Sequence, residues 1–334
     1  MRLSTFILHD RLIDAFQDNF LRLFKAQESL ATGKKINRPS QDTIGSARAL
    51  AYRVSISASE QYKRNINEAR SYLESIEGVL SNASSIFSRA KEITIGAMNA
   101  VKAPEDRAVM AKEVEEMRNG LRDLANTRSQ GRYIFSGFLT NTETFDINGI
   151  YRGDSNHIEV KTGLDIQVKE NLTGEEVFAY SQGNDESVRI ENGRYIHYLP
   201  GGGTTVNVEI RDTDDTTVLD SFSYDNAVQM LDLLAAALSN NDMGRVNALI
   251  KSVDDGHQQI LISEAEVGAR LGSLDAEQNR LGDSVLDLRT ALSETEDADI
   301  ADVISEIAKT NVALQSLRNI SARVLSQSLL DFLG

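Results

Sequence analysis

The sequence predicts a mainly α chain with a β domain (α+β): a long antiparallel coiled-coil helix bundle with paired terminal helices and a β-rich tip domain. Three observations lead there. Only Pro39, Pro104 and Pro200 interrupt 334 residues, so long stretches are free of the residue that breaks helix interiors. On both flanks of the chain, apolar residues recur at alternating spacings of three and four, the seam of a coiled coil. Half of the 22 glycines lie between Gly131 and Gly203, where the apolar period shortens from helical to two.

The first helix spans about 4–32, with Ile13, Phe16, Phe20, Leu23, Gln27 and Leu30 as its seam. Gly33, followed by Lys34 and Lys35, stops it, the cations complementing the helix C-terminal dipole. Asn37-Arg38-Pro39-Ser40 reads as an extended linker. A second helix, about 42–101, repeats Ile66, Ala69, Leu73, Ile76, Leu80, Ala83, Phe87, Ala90, Thr94 and Ala97. At 1.5 Å per residue, some 60 residues would run about 90 Å, a length suited to a rod or bundle. Pro104 with an acidic first turn opens a third helix to about 130, with the seam Met110, Val114, Met117, Leu121, Leu124.

From Tyr133 the pattern is that of strands. Hairpins are expected at Asn148-Gly149 and Asn192-Gly193, alternating strand sequence over 158–168, and further strands over 204–210 and 218–224. Helix returns over 227–239 and 243–292, where Ile260, Val267, Leu274, Leu281 and Leu288 recur every seven residues. After the acidic stretch 294–302, Val303, Ile307, Thr310, Leu314, Leu317, Ser321 and Val324 carry the last helix. Five segments follow: 1–41, terminal helix and linker; 42–132, long helices of a rod domain; 133–224, a β-rich outer domain; 225–293, return helices of the rod; 294–334, acidic joint and C-terminal helix. This near-palindrome sends the chain up through helices and back antiparallel, leaving the terminal helices side by side.

Composition narrows the function classes. With 35 basic and 50 acidic residues the net charge is −15, which disfavours nucleic acid and anionic lipid as partners. No cysteine is present, so disulfides, thiolate metal sites and cysteine nucleophiles are out. Ser4, Thr5, His9, Asp10 and Arg11 interrupt any apolar core of a cleaved secretory signal, and no stretch approaches the roughly 20 apolar residues of a membrane span. His9, His157, His197 and His257 sit in different elements without ligand spacing and are expected to be exposed or in turns. Asp297-x-Asp299 and Asp212-x-Asp214 lack the glycine of a calcium loop and read as solvated connectors. No catalytic, cofactor-binding or metal-binding constellation emerges, and a structural rather than enzymatic role is expected.

The terminal helices stand apart from the inner ones. Each is about 30 residues long, lies beyond a joint, and as a bare pair makes only a thin unit. The expectation is that residues 1–35 and 300–334 order fully only on assembly. Candidate assembly residues are Ile13, Phe16, Phe20, Leu23 and Leu30 on the first helix and Ile307, Leu314, Leu317, Val324, Leu330 and Phe332 on the last. Asn37, Arg38, Pro39, Asp297 and Asp299 mark the joints.

Gln27-Glu28-Ser29-Leu30-Ala31-Thr32-Gly33-Lys34-Lys35-Ile36-Asn37-Arg38-Pro39-Ser40-Gln41-Asp42 resembles the signature closing the first helix of the bacterial flagellin family, and in particular of its hook-associated branch. Gly131-Arg132-Tyr133-Ile134-Phe135-Ser136-Gly137, Tyr151-Arg152-Gly153-Asp154, Glu296-Asp297-Ala298-Asp299-Ile300-Ala301 and Leu329-Leu330-Asp331-Phe332-Leu333 resemble further parts of that branch. The resemblance spans nearly the whole chain and is weakest after about Ser181. It implies a ring of like subunits at the hook–filament junction, with a hook-associated protein on the hook side and flagellin on the filament side. It also implies export through the flagellar type III apparatus without a cleaved signal, after a cytosolic chaperone has masked the C-terminal helix. The alternatives are a filament flagellin, which usually lacks the proline of Asn37-Arg38-Pro39-Ser40, and a non-flagellar coiled-coil spacer or adhesin.

Overall fold

A computed structural model describes residues 2–99, 102–179, 185–190 and 193–333, the stretches 2–6, 8–9 and 324–333 by their backbone alone. The helices are α1 (Arg2–Thr32), α2 (Thr43–Ala97), α3 (Pro104–Ala125), α4 (Gly174–Phe178), α5 (Ala227–Ser239), α6 (Met243–Glu296) and α7 (Ile300–Leu333). The strands are β1 (Arg128–Ser129), β2 (Arg132–Tyr133), β3 (Glu159–Lys161), β4 (Gln167–Lys169), β5 (Glu186–Arg189), β6 (Tyr195–Pro200), β7 (Val206–Arg211) and β8 (Val218–Tyr224). The chain forms two compact units, one made of residues 1–61 and 281–334, the other of 62–280, so α2 and α6 run through both.

In the larger unit the sequence seam of α2 is its core. Ile66, Ala69, Leu73, Ile76, Leu80, Ala83, Phe87, Ala90, Thr94 and Ala97 are all completely buried, as are Val253, Ile260, Val267 and Leu274 of α6. Pro104 starts α3 where a missing N–H costs nothing. The buried Arg107 answers the carbonyls left open at the end of α2, donating from Nε to Ala97 O at 3.1 Å and from Nη1 to Asn241 Oδ1 at 2.7 Å.

The β region divides into three antiparallel sheets: β1-β2, β3-β4 and β5-β6-β7-β8. Residues 158–168, expected to alternate as strand, fold into the hairpin β3–β4 instead, because Gly163 begins a turn in which Thr162 N donates to Ile166 O. The Asn148-Gly149 hairpin shrinks to a tight turn closed by a single bridge, Phe145 with Tyr151. Gly149 sits at φ +73°, a conformation that suits glycine. Of the Asn192-Gly193 turn, residue 192 lies outside the described residues, while the flanking β5 and β6 pair as a hairpin. Between β2 and α4, Phe135, Phe145 and Phe178 meet edge to face at 5.3 and 5.7 Å. The four-stranded sheet buries Ile196, Tyr198, Val208 and Ile210 on one side, and the Tyr198 hydroxyl donates to Ala248 O of α6 at 2.7 Å.

Two histidines depart from expectation. His197 is buried, with Nε2 2.7 Å from Asp215 and Nδ1 3.3 Å from Asp185. His257 is half-buried, bonded to Ser84 at 3.0 Å and stacked on Phe87. Neither burial was readable from the sequence, because the covering groups come from distant elements.

Candidate functional site

The smaller unit brings the two joints together as one site. Gly33 ends α1 at φ +70°, the left-handed position at which glycine terminates helices. The chain then runs antiparallel to the end of α6: Lys34 pairs with Asp297, Lys35 N donates to Glu296 O at 2.7 Å, and Ala298 N donates to Gly33 O at 2.9 Å. Lys35 Nζ reaches Glu294 O at 2.6 Å. At the centre lies the buried carboxylate of Glu296, which holds Lys34 Nζ at 2.7 Å and also pairs with Arg53 of α2. The Arg53 hydrogen bond, reinforced by Lys34, holds the Glu296 carboxyl below the ordinary glutamate range.

The predicted joint residues each have a structural task here. Asn37 Nδ2 donates to Lys34 O at 3.0 Å, and its side-chain oxygen accepts from the Thr32 hydroxyl at 2.7 Å. Arg38 pairs with Glu28 at 3.2 Å, folding the linker back on α1. Pro39 lies in a tight turn, closed by Gln41 N donating to Arg38 O at 2.9 Å. Asp297 supplies the bridge to Lys34, and the Asp299 carboxylate caps α7 by accepting from Ala301 N at 2.8 Å and Asp302 N at 3.3 Å. The acidic joint is thus shorter than the expected 294–302, since α6 continues to Glu296 and α7 begins at Ile300.

Beyond the joint α1 packs against α7, antiparallel because the end of α1 meets the start of α7. Arg22 and Lys25 of α1 and Asp302, Glu306 and Lys309 of α7 line an open groove between them. On α7 the predicted seam is the one in use. Val303, Ile307, Leu317 and Ser321 are half-buried, and Thr310 and Leu314 are buried. The side chains of Val324, Leu330 and Phe332 lie outside the described residues.

On α1 the register differs. Between Leu12 and Ala26 the least exposed positions are Leu12, Ala15, Asn19, Leu23 and Ala26, of which only Leu23 belongs to the expected seam. Ile13, Phe16, Phe20 and Leu30 are exposed, as is Phe24. At 100° per residue, Ile13, Phe16, Phe20 and Phe24 form a stripe roughly 100° round the helix from the face turned to α7. Helix α1 therefore carries two apolar faces and covers one. The residues that sequence reasoning passed over are those of the covered face other than Leu23, together with Lys34, Arg53 and Glu296. The charged trio left no local signal, since its members are far apart in the chain.

Comparison with known proteins follows the same lines. Residues 4–140 match the bacterial flagellin N-terminal helical region. The flagellar hook-associated protein 3 of Salmonella typhimurium is 25% identical over 318 residues, 95% of this chain and 94% of that protein. The flagellin of Bacillus subtilis is 23% identical over 303 residues, 91% of this chain and 89% of that protein. Among solved structures, a putative flagellar hook-associated protein from Vibrio parahaemolyticus has a TM-score of 0.60 at 20% identity, covering 77% of this chain and all, 100%, of that one. Flagellar hook associated protein-3 from Legionella pneumophila has a TM-score of 0.58 at 21% identity, covering 73% and 98%. The structures share the fold, and the flagellin-family resemblance carried by residues 27–42 is borne out.

Proposed function

We propose that this chain, a homologue of the flagellar hook-associated protein 3, is a structural adaptor that joins the hook of a bacterial flagellum to its filament. The observation that carries the reading is the end-to-end similarity to that protein, 95% of this chain and 94% of the relative. The subunit works outside the cell, as part of the flagellum, and its role is mechanical rather than catalytic. Like subunits form a ring through the terminal helices, with a hook-associated protein below and flagellin above. Two features support that ring: the uncovered stripe of α1, and a joint whose Lys34–Glu296–Arg53 cluster fixes where the terminal pair leaves the inner helices. Export proceeds through the flagellar type III apparatus, with a chaperone on α7 beforehand.

Deleting the gene tests this directly. Electron micrographs should then show bare hooks, with flagellin secreted but unassembled, and filaments still attached would overturn the reading. Filament flagellin is the second reading, favoured by the 23% identity to the Bacillus subtilis protein. Seeded polymerisation of the purified chain separates the two, since a flagellin extends long filaments alone and an adaptor does not.

A further inference from the structure

The start of α2 carries a second seam. Toward the interior of the smaller unit it turns Gly45, Ala49, Tyr52, Ile56 and Ser59, and Glu60 pairs with Arg289 of α6 at 2.7 Å. Roughly 140° round the helix lie Ile44, Ala47, Ala51, Val54 and Ala58, again spaced three and four. Ile44 is 66% exposed and Val54 61%, with Leu50 beside them at 61%. Uncharged large residues spaced around alanines make the holes of a knobs-into-holes surface, and among the described residues nothing fills them.

We infer that this face of α2 receives the uncovered stripe of α1, Ile13, Phe16, Phe20 and Phe24, from a second copy of the chain. The inference rests on the ring reading and names the partner of its terminal-helix surface. Size supports the pairing, since aromatic knobs on one side meet alanine holes on the other. So does length: the α1 stripe covers about 17 Å and the α2 face about 21 Å at 1.5 Å per residue. Charge agrees as well. Residues 43–59 hold no acid in a chain of net charge −15, and of their two arginines Arg53 is taken by Glu296 while Arg48 has no ion pair among the described residues. Residues 10–18 of α1 carry Asp10, Asp14 and Asp18 against the single Arg11.

The contact is heterologous, with different faces of one chain meeting, and such contacts build rings when the rotation closes. One helix crossing of this size buries several hundred Å², short of the roughly 1,200 Å² of a stable independent pair. The subunit would then stay single in solution and lock only where several neighbours hold it at once.

The absence of native cysteines makes the test clean. Phe20→Cys and Ala51→Cys are placed singly and together in the chain that replaces the native copy, and flagella sheared from the cells are oxidised. The double variant should give a ladder of dimers, trimers and longer chains. Each single variant should remain monomeric, and co-assembly of the two singles should give dimers only. Dimers from Phe20→Cys alone would mean that α1 meets α1, and would overturn the inference. So would attached filaments with no ladder.

Should the cysteine variants fail to assemble, a size exchange decides. Ala51→Phe should lower the number of attached filaments at least tenfold, and adding Phe20→Ala in the same chain should restore it. No restoration, with the helical circular dichroism unchanged, overturns the pairing. Filaments that stay attached in a strain lacking the chain altogether overturn the junction reading instead. The same cysteine pairs then test the contact in the concentrated purified protein.

Discussion

Phe20 and Leu314 face opposite fates when truncated to alanine. Phe20 lies on the open stripe of α1 and is 57% exposed, whereas Leu314 sits in the α1–α7 seam at 6%. A phenylalanine presents about 150–250 Å², so roughly 100 Å² of Phe20 remains to be covered on assembly. At about 25 cal/mol per Å² that is ~2.5 kcal/mol, and alanine keeps enough of it to leave a loss near 2 kcal/mol, or about 30-fold per contact. The isolated subunit should hardly notice. Leu314→Ala removes contacts inside the subunit and should cost ~2 kcal/mol or somewhat more, the low end for buried leucine because the pair can relax. Hydrogen exchange on the purified chain and counts of attached filaments at graded expression measure the two effects separately. Phe20→Ala should leave exchange in α1 and α7 unchanged and require much higher expression, while Leu314→Ala should speed exchange in both helices. Equal acceleration by the two variants, or normal attachment by Phe20→Ala at native expression, would refute the assignment of the two faces.

Further outcomes follow from the joint and the sheet. Glu296 has a carboxyl pKa held down by Arg53 and Lys34. Its contribution is therefore full above the unfolded value of about 4.3 and is lost as pH falls through the lower folded one; Glu296→Gln should flatten that acid-side loss in amide protection of Lys35 and Ala298. At Gly45 an added Cβ would run into the Asp42 carboxylate and lie 2.6 Å from Ile36 Cδ1, so Gly45→Ala should loosen the linker and reduce filament attachment, whereas unchanged proteolysis between α1 and α2 would speak against it. Tyr198→Phe removes the hydroxyl that donates to Ala248 O; it should lower stability by about 1 kcal/mol in urea titration and leave junction assembly intact. In the wild-type chain, residues 1–35 and 300–334 should exchange faster in the monomer than in the flagellum, and equally strong protection in a verified monomer would contradict assembly-coupled ordering.

The inner seams were legible because each has one apolar face and one place to put it. Ile66 to Ala97 repeat at three and four, and a buried helix offers no other way to read that spacing. The bounds of β8 and α5 were equally plain, since strand alternation gives way to Asn226, whose side chain accepts from Val228 N and Gln229 N. At α1 the same method went one face astray. When a helix has apolar residues on two adjacent faces, periodicity identifies both and cannot say which its own chain will cover. The β3–β4 hairpin escaped for a related reason, its strands being too short for alternation to mark the turn between them.

Although the short α4 and the end of α3 at Ala125 rather than about 130 escaped it, sequence by itself determined the order and approximate lengths of the long helices, the stops that end them, and a surplus of apolar residues at both ends of the chain. Those are properties of near neighbours along the backbone, where spacing, proline and glycine act directly. Tertiary structure decided the rest: that the two joints are one site, that Glu296 gathers Lys34 and Arg53, and that α1 gives Leu12, Ala15 and Leu23 to α7 while leaving Phe16, Phe20 and Phe24 open. Each of these depends on which distant segment arrives alongside. Residue 34 meets residue 297 across more than 260 residues of chain, and no local pattern records that meeting.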